Sequence, residues 1–193
     1  MTIAWHVVLG AYGFWLPNDP RGSWSDFVSS PALSRFGEAT KVQARRSLAR
    51  EPHDHRRRLQ AKRALQHPPV RLTGRQARAV AHGFAEAIQE GRYTTYACCI
   101  LPEHAHLVLA RADRPIGRVV GHLKGRATRC LRTEGLWPDR RPLWAHGFWK
   151  VFLHTPADVR RAIAYVEGNP PREGKPTQRW PFVTPFPGDC GAG

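Results

Sequence analysis

Two apolar runs, residues 93–101 ("YTTYACCIL") and 104–110 ("HAHLVLA"), are separated only by Pro102 and Glu103. Runs of this kind joined by so short a bend read as a β-hairpin. The hairpin fixes one antiparallel pair, and its flanks decide what sheet can grow around it. Upstream, "LTGRQARAVAHGFAEAIQEG" carries Val80, Phe84 and Ile88 at helical spacing, with Ala77, Ala81 and Ala87 beside them. Thr73 and Gln76 form a capping box at its start, and Gly91 ends it. Downstream, "PIGRVVGHLKGRATRCLR" is a second helix with Pro115 near its start. Gly117, Gly121 and Gly125 each weaken it. Their regular spacing fits either a close backbone approach or simple tolerance.

The outer segments complete the order. "IAWHVVLGAYGFW" is a first strand from about residue 3 to residue 10, and "GFWKVFLH" is a fourth. "TPADVRRAIAYVEGNP" is a third helix, with Thr155 as N-cap, Pro156 first and Asp158 in the first turn. Pro170 and Pro171 are expected to close it. The first six elements then match the ferredoxin-like split βαβ arrangement. The expected fold is α+β: a ferredoxin-like (RRM-like) antiparallel sheet with helices on one face, plus a C-terminal tyrosine-bearing helix. The other sheet face is left for a ligand or for that last helix. Residues 1–174 are expected to form one domain. Residues 27–69, polar and basic and interrupted by Pro31, Pro52, Pro68 and Pro69, are expected to be an insertion, with a short helix in "DHRRRLQAKRAL". This insertion is either a solvated surface or a phosphate-contacting arm. Residues 175–193 are expected to be a proline-rich, irregular tail.

A formal net charge of +15 and a pI near 10.9 point to a polyanionic partner, with nucleic acid ahead of an anionic membrane surface. No stretch approaches the roughly 18 apolar residues of a membrane span. The first residues lack the pattern of a signal peptide, so a cytoplasmic, nucleoid-associated protein is expected. Cys98, Cys99, Cys130 and Cys190 show no CxxC spacing, so they are expected to be reduced, small hydrophobes.

Within the hairpin, His104 and His106 are two residues apart. On a strand they share a face at roughly 6.5–7 Å along the chain, while Ala105, Leu107 and Leu109 face the other way. The pair is either polar filler on a wet face or two ligands aimed at one cation. Tyr165 and Asn169 are four residues apart on the last helix and lie on one side of it. Each has an ordinary explanation; their arrival together in this element order is more specific.

The stretches "GFWLPNDPRG", "YACCILPEHAHLVL", "HLKGRATRCL", "LWAHGFWKVFLH" and "AIAYVEGNPPREG" resemble the REP-associated tyrosine transposases, relatives of the insertion-sequence-200-like single-strand transposases. Both belong to the HUH (His-hydrophobic-His) endonuclease superfamily. The family's Met-Pro-Asn/Asp-His-x-His is matched here by Leu101-Pro102-Glu103-His104-Ala105-His106. Its Tyr-Ile-x-x-Asn-Pro is matched by Tyr165-Val166-Glu167-Gly168-Asn169-Pro170. Ala105 and Gly168 are departures that remove no chemical group. The resemblance implies that His104, His106 and the side-chain oxygen of Asn169 hold Mg²⁺ or Mn²⁺. It implies that Tyr165 attacks a phosphodiester of single-stranded or hairpin DNA, giving a 5′-phosphotyrosine link and a free 3′-hydroxyl. A monomer and a homodimer are both compatible with it.

Arg21, Arg118, Lys124, Arg126, Arg129 and Lys150 are candidates for DNA-backbone contacts, and Trp15 for stacking on unpaired bases. Trp144, Trp149 and Phe148 could stack too, although Phe148 and Trp149 read better as core. The competing reading is a non-catalytic single-stranded nucleic-acid-binding protein on an RRM-like sheet. A zinc hydrolase lacks a third histidine or a carboxylate at good spacing, since Glu103 faces away from His104 on a strand.

Overall fold

The computed structural model describes residues 1–19, 28, 31–39, 52–138 and 140–187. Four strands, β1 (Ala4–Gly10), β2 (Thr95–Ile100), β3 (His104–Ala110) and β4 (Trp149–Leu153), form one antiparallel sheet in the order β2-β3-β1-β4. Among the described residues the helices are α1 (Pro31–Ser34), α2 (His55–Arg63), α3 (Gly74–Gly91), α4 (Ile116–Thr133) and α5 (Pro156–Arg172). This is the expected α+β, ferredoxin-like order, with the hairpin bend at Pro102 and Glu103.

Strand alternation divides the apolar residues between two layers. Trp5, Val7 and Leu9 of β1 and Ala105, Leu107 and Leu109 of β3 meet α3 and α4 in the larger core. Ala4, Cys99, Val108 and Leu153 meet Val159, Ala162 and Val166 of α5 on the opposite face. Cys98 and Cys99 therefore point to opposite layers, as adjacent strand residues must. The face left open in the sequence reading is covered by the last helix.

The capping boxes at Thr73 and Thr155 are both present. At the other end of α3, Arg92 rather than a glycine takes the left-handed position (φ 50°). Gly91 is the last helical residue, and a Cβ there would sit 2.1 Å from the Tyr93 ring. The close approach of helices comes from α3, not from the glycines of α4. A Cβ at Gly83 would lie 2.5 Å from the Ala127 backbone, while Gly117, Gly121 and Gly125 have nothing within 4 Å. The expected stop at Pro170 and Pro171 also moves, because α5 runs through both to Arg172. The two lost N–H donors fall in its last turn, where the Glu173 N–H closes onto the Asn169 and Pro170 carbonyls.

The described part of the tail, up to residue 187, is irregular but attached. Gln178 brackets the backbone N–H and C=O of Ile100, and Val183 bridges Thr95 in parallel, so residues 178–184 cover the β2 edge. In the 27–69 span, Phe36 and Ala61 pack with Leu16 in a small third cluster.

Candidate active site

The hairpin puts His104 and His106 on the α5 face of β3, and the β1–β3 register (Val8↔His106, His6↔Val108) adds a third histidine from β1. His6 Nε2 and His106 Nδ1 share a 3.0 Å hydrogen bond, with the rings stacked at 5.2 Å. His6 and His106 are 7% and 6% exposed. Burial holds the His6 imidazole down at about 4. Burial, followed by the neighbouring His104 and His6, holds His106 well below the usual histidine range. Both rings are therefore neutral at neutral pH, the form that ligates metal. His104 stands 4.8 Å from His106, ring to ring, and stacks on Phe14 at 4.6 Å.

Tyr165 arrives from α5. Its ring lies 5.7 Å from His6 and 5.7 Å from His106, both edge-on. It is 37% exposed, the one exposed tyrosine of four. The Arg172 guanidinium lies 5.6 Å over the same ring, one further contribution of the extended helix end. Asn169, one turn beyond Tyr165, turns its amide toward Cys99, which pairs with His106 across the hairpin. Its Nδ2 is buried, with no hydrogen-bond partner among the described residues. Burial pushes the Cys99 thiol up to about 12, so it stays protonated. A cavity of about 160 Å³ opens beside His104, lined also by Glu103, Glu173, Arg71 and Lys175. The His104 and His106 imidazoles, with the Asn169 side-chain oxygen and the nearby Glu173 carboxylate, are donor types that suit a divalent cation.

The residues expected to touch DNA do not gather around this cluster. Arg118, Lys124, Arg126 and Arg129 ride on α4, in the layer on the far side of the sheet. Lys124 is half-buried there, its amine donated to the Ala145 and Gly147 carbonyls, and partial burial lowers it to about 8. Arg126 pairs with Glu86 and Glu90. Arg118 and Arg129 are exposed. Lys150 lies over Phe152 at 5.3 Å on the edge strand. Trp15 is half-buried against Phe14, at 5.2 Å between rings, and Phe14 in turn stacks on His104. Arg21 lies outside the described residues. Trp144 stacks on Phe84 and donates to the Lys124 carbonyl, a core role. Trp149 instead meets His6 edge-on at 5.6 Å. His6, Arg172 and Glu173 were not singled out from sequence. The one available signal was parity: His6 alternates with Ala4 and Val8 in a strand whose partner carries the histidine pair.

No family model and no curated protein sequence matches the chain. Its structure is similar to that of a REP-associated tyrosine transposase bound to a REP hairpin, with a TM-score of 0.51 and 16% identity over 94% of this chain and 76% of that one. It is also similar to a proposed transposase from Deinococcus radiodurans, with a TM-score of 0.41 and 12% identity over 86% of this chain and 91% of that one. The first likeness establishes a shared fold.

Proposed function

We propose that this chain is a transposase-like enzyme of the HUH single-tyrosine kind: a metal-dependent nuclease and strand transferase for single-stranded DNA carrying hairpin repeats. The observation that carries the proposal is the meeting of an exposed tyrosine with two buried, neutral histidines, at ring separations of 5.7 Å, on one sheet face. The fold held in common with a hairpin-bound transposase supports it.

In this reading His104, His106 and the Asn169 side-chain oxygen hold Mg²⁺ or Mn²⁺. The bound ion supplies charge neutralisation at the scissile phosphate, worth several kcal/mol. Tyr165 Oη forms a bond to phosphorus as the bond to the 3′-oxygen breaks. The phenol proton is lost to water and the leaving oxygen takes one up, so one ester replaces another and no nucleotide cofactor is consumed. The free 3′-hydroxyl later reverses the step on the same or another strand. His6 keeps the His106 ring turned toward the site through their shared hydrogen bond. Arg172 places a positive charge beside the phenol, where the phosphate must arrive.

The alternative, a binding protein that reads single strands on an open RRM-like sheet, needs the face that α5 covers. The two readings part in one assay. Labelled single-stranded hairpin DNA is incubated with the protein and Mn²⁺ and run on a denaturing gel. The proposal expects a covalent adduct that Tyr165→Phe removes while DNA binding persists, and that His104→Ala also loses. Binding with no adduct in the wild-type protein would favour the alternative.

A further inference from the structure

We infer that the basic insertion forms a second nucleic-acid contact, an arginine groove that holds the phosphate backbone of a DNA stem, on an arm tied to the segment before the histidine pair. The inference rests on the proposed DNA substrate but on different residues.

Residues 27–69 contain ten Lys and Arg against three Asp and Glu, a large share of the chain's excess positive charge. Arg35, Arg56, Arg57 and Arg63 line an open groove of about 740 Å³ between α2 and the turn that follows α1, with Phe36 at its wall. The described cations of this region divide into two sets. Arg58 is held by the buried Asp19 at 3.3 Å, and Lys62 by Glu103 at 3.6 Å. Arg57 donates to the Arg35 carbonyl at 2.9 Å. Those contacts build the arm. Arg35 lies over the Phe36 ring at 4.8 Å, and among the described residues no carboxylate pairs with Arg35, Arg56 or Arg63. Among the described residues that line the groove the one carboxylate is Asp54, which accepts from the Arg57 N–H as the cap of α2.

Guanidinium groups gathered without counter-charges repel one another, and a row of phosphates relieves this. A groove this open suits a continuous backbone better than a small anion. The arm is also anchored where the chemistry is proposed. Lys62 is tied to Glu103, the residue before His104, and Asn18 donates to the Asp54 carbonyl at 2.7 Å. Arg56, Gln60 and Arg63 lie on the face of α2 opposite Arg58 and Lys62, so the groove opens outward from an arm whose other face is tied to Glu103. By contrast, α4, which carries most of the basic residues singled out from sequence, lies behind the sheet.

The test uses full-length protein carrying Tyr165→Phe, so that no cleavage is needed. Affinity for a hairpin DNA is followed by fluorescence anisotropy across a salt series. Arg56→Gln/Arg63→Gln is compared with a charge-matched control on the exposed start of α3, Arg75→Gln/Arg78→Gln. Each lost phosphate contact lowers the slope of log K against log salt by about 0.9. The groove variant is expected to lose between about 1 and 2 from that slope and to bind the hairpin more weakly, with the control nearly unchanged. An unchanged slope in the groove variant overturns the inference. An equal fall in both variants also overturns it, because net charge alone then accounts for binding. A wild-type protein that binds the hairpin through the groove but forms no adduct would sink the catalytic proposal and leave this one standing.

Discussion

The two faces of the sheet are made from the same strands, yet they hold different things. The face toward α3 and α4 is apolar along its length, from Trp5 to Leu9 and from Ala105 to Leu109. The face toward α5 is divided. One end is apolar, with Ala4, Val108 and Leu153 under Val159 and Ala162; the other carries His6, His104 and His106 under Tyr165. A small domain can thus keep one face for stability and give half of the other to polar groups. The histidine end carries a cost the first face lacks, because its rings must remain uncharged in the fold.

Three experiments sharpen or break this contrast. The largest effect is expected on the apolar face. Leu107 is fully buried between β3 and the helices, so Leu107→Ala should destabilise by about 2–5 kcal/mol in urea unfolding. A loss well under 1 kcal/mol would mean that this face is not the stabilising one.

Acid should act on the other face. With His6 held near 4 in the fold and near 6.5 when unfolded, the unfolded chain binds the proton first. Stability is then complete above about pH 6.5 and falls as pH drops toward 4, by about 3 kcal/mol for His6 alone. His106 acts in the same direction. Urea midpoints at pH 7.5 and 4.5 should differ less in His6→Leu than in wild type. Equal differences would remove His6 as the source.

The smallest effect is a gain. Gly168 lies within α5 between Tyr165 and Asn169, and the nearest atoms to a Cβ there are those of Arg172, at an ordinary 3.6 Å. Gly168→Ala should raise stability by about 0.5–1 kcal/mol, seen as a higher Tm. A fall would show that the helix needs glycine at this point to seat Arg172 over the tyrosine.

Much of this was legible in the sequence because local rules carry it. The hairpin follows from two apolar runs and a two-residue bend, and the helix starts follow from Thr73 and Thr155. The shared face of His104 and His106 follows from strand parity alone. What stayed hidden depends on partners distant in sequence. His6 sits in a strand whose seven residues are all buried, and only the register with β3 brings it to His106. Lys124 reads as a DNA contact until the 145–147 loop folds back over its amine. The prolines at 170 and 171 read as a stop, yet in a helix's last turn their missing donors interrupt little, and the extra turn brings Arg172 to Tyr165. The tail's attachment to β2 depends on Gln178 meeting a strand edge 78 residues away.

The central claim is that the phenol of Tyr165 is the group that takes the DNA. Trapping the protein on hairpin-bearing single-stranded DNA with Mn²⁺, digesting it and sequencing the nucleotide-linked peptide by mass spectrometry tests this directly. The account predicts a single linked peptide containing Tyr165. A link to Tyr12, Tyr93 or Tyr96, or none under conditions where the DNA is bound and cut, would contradict it.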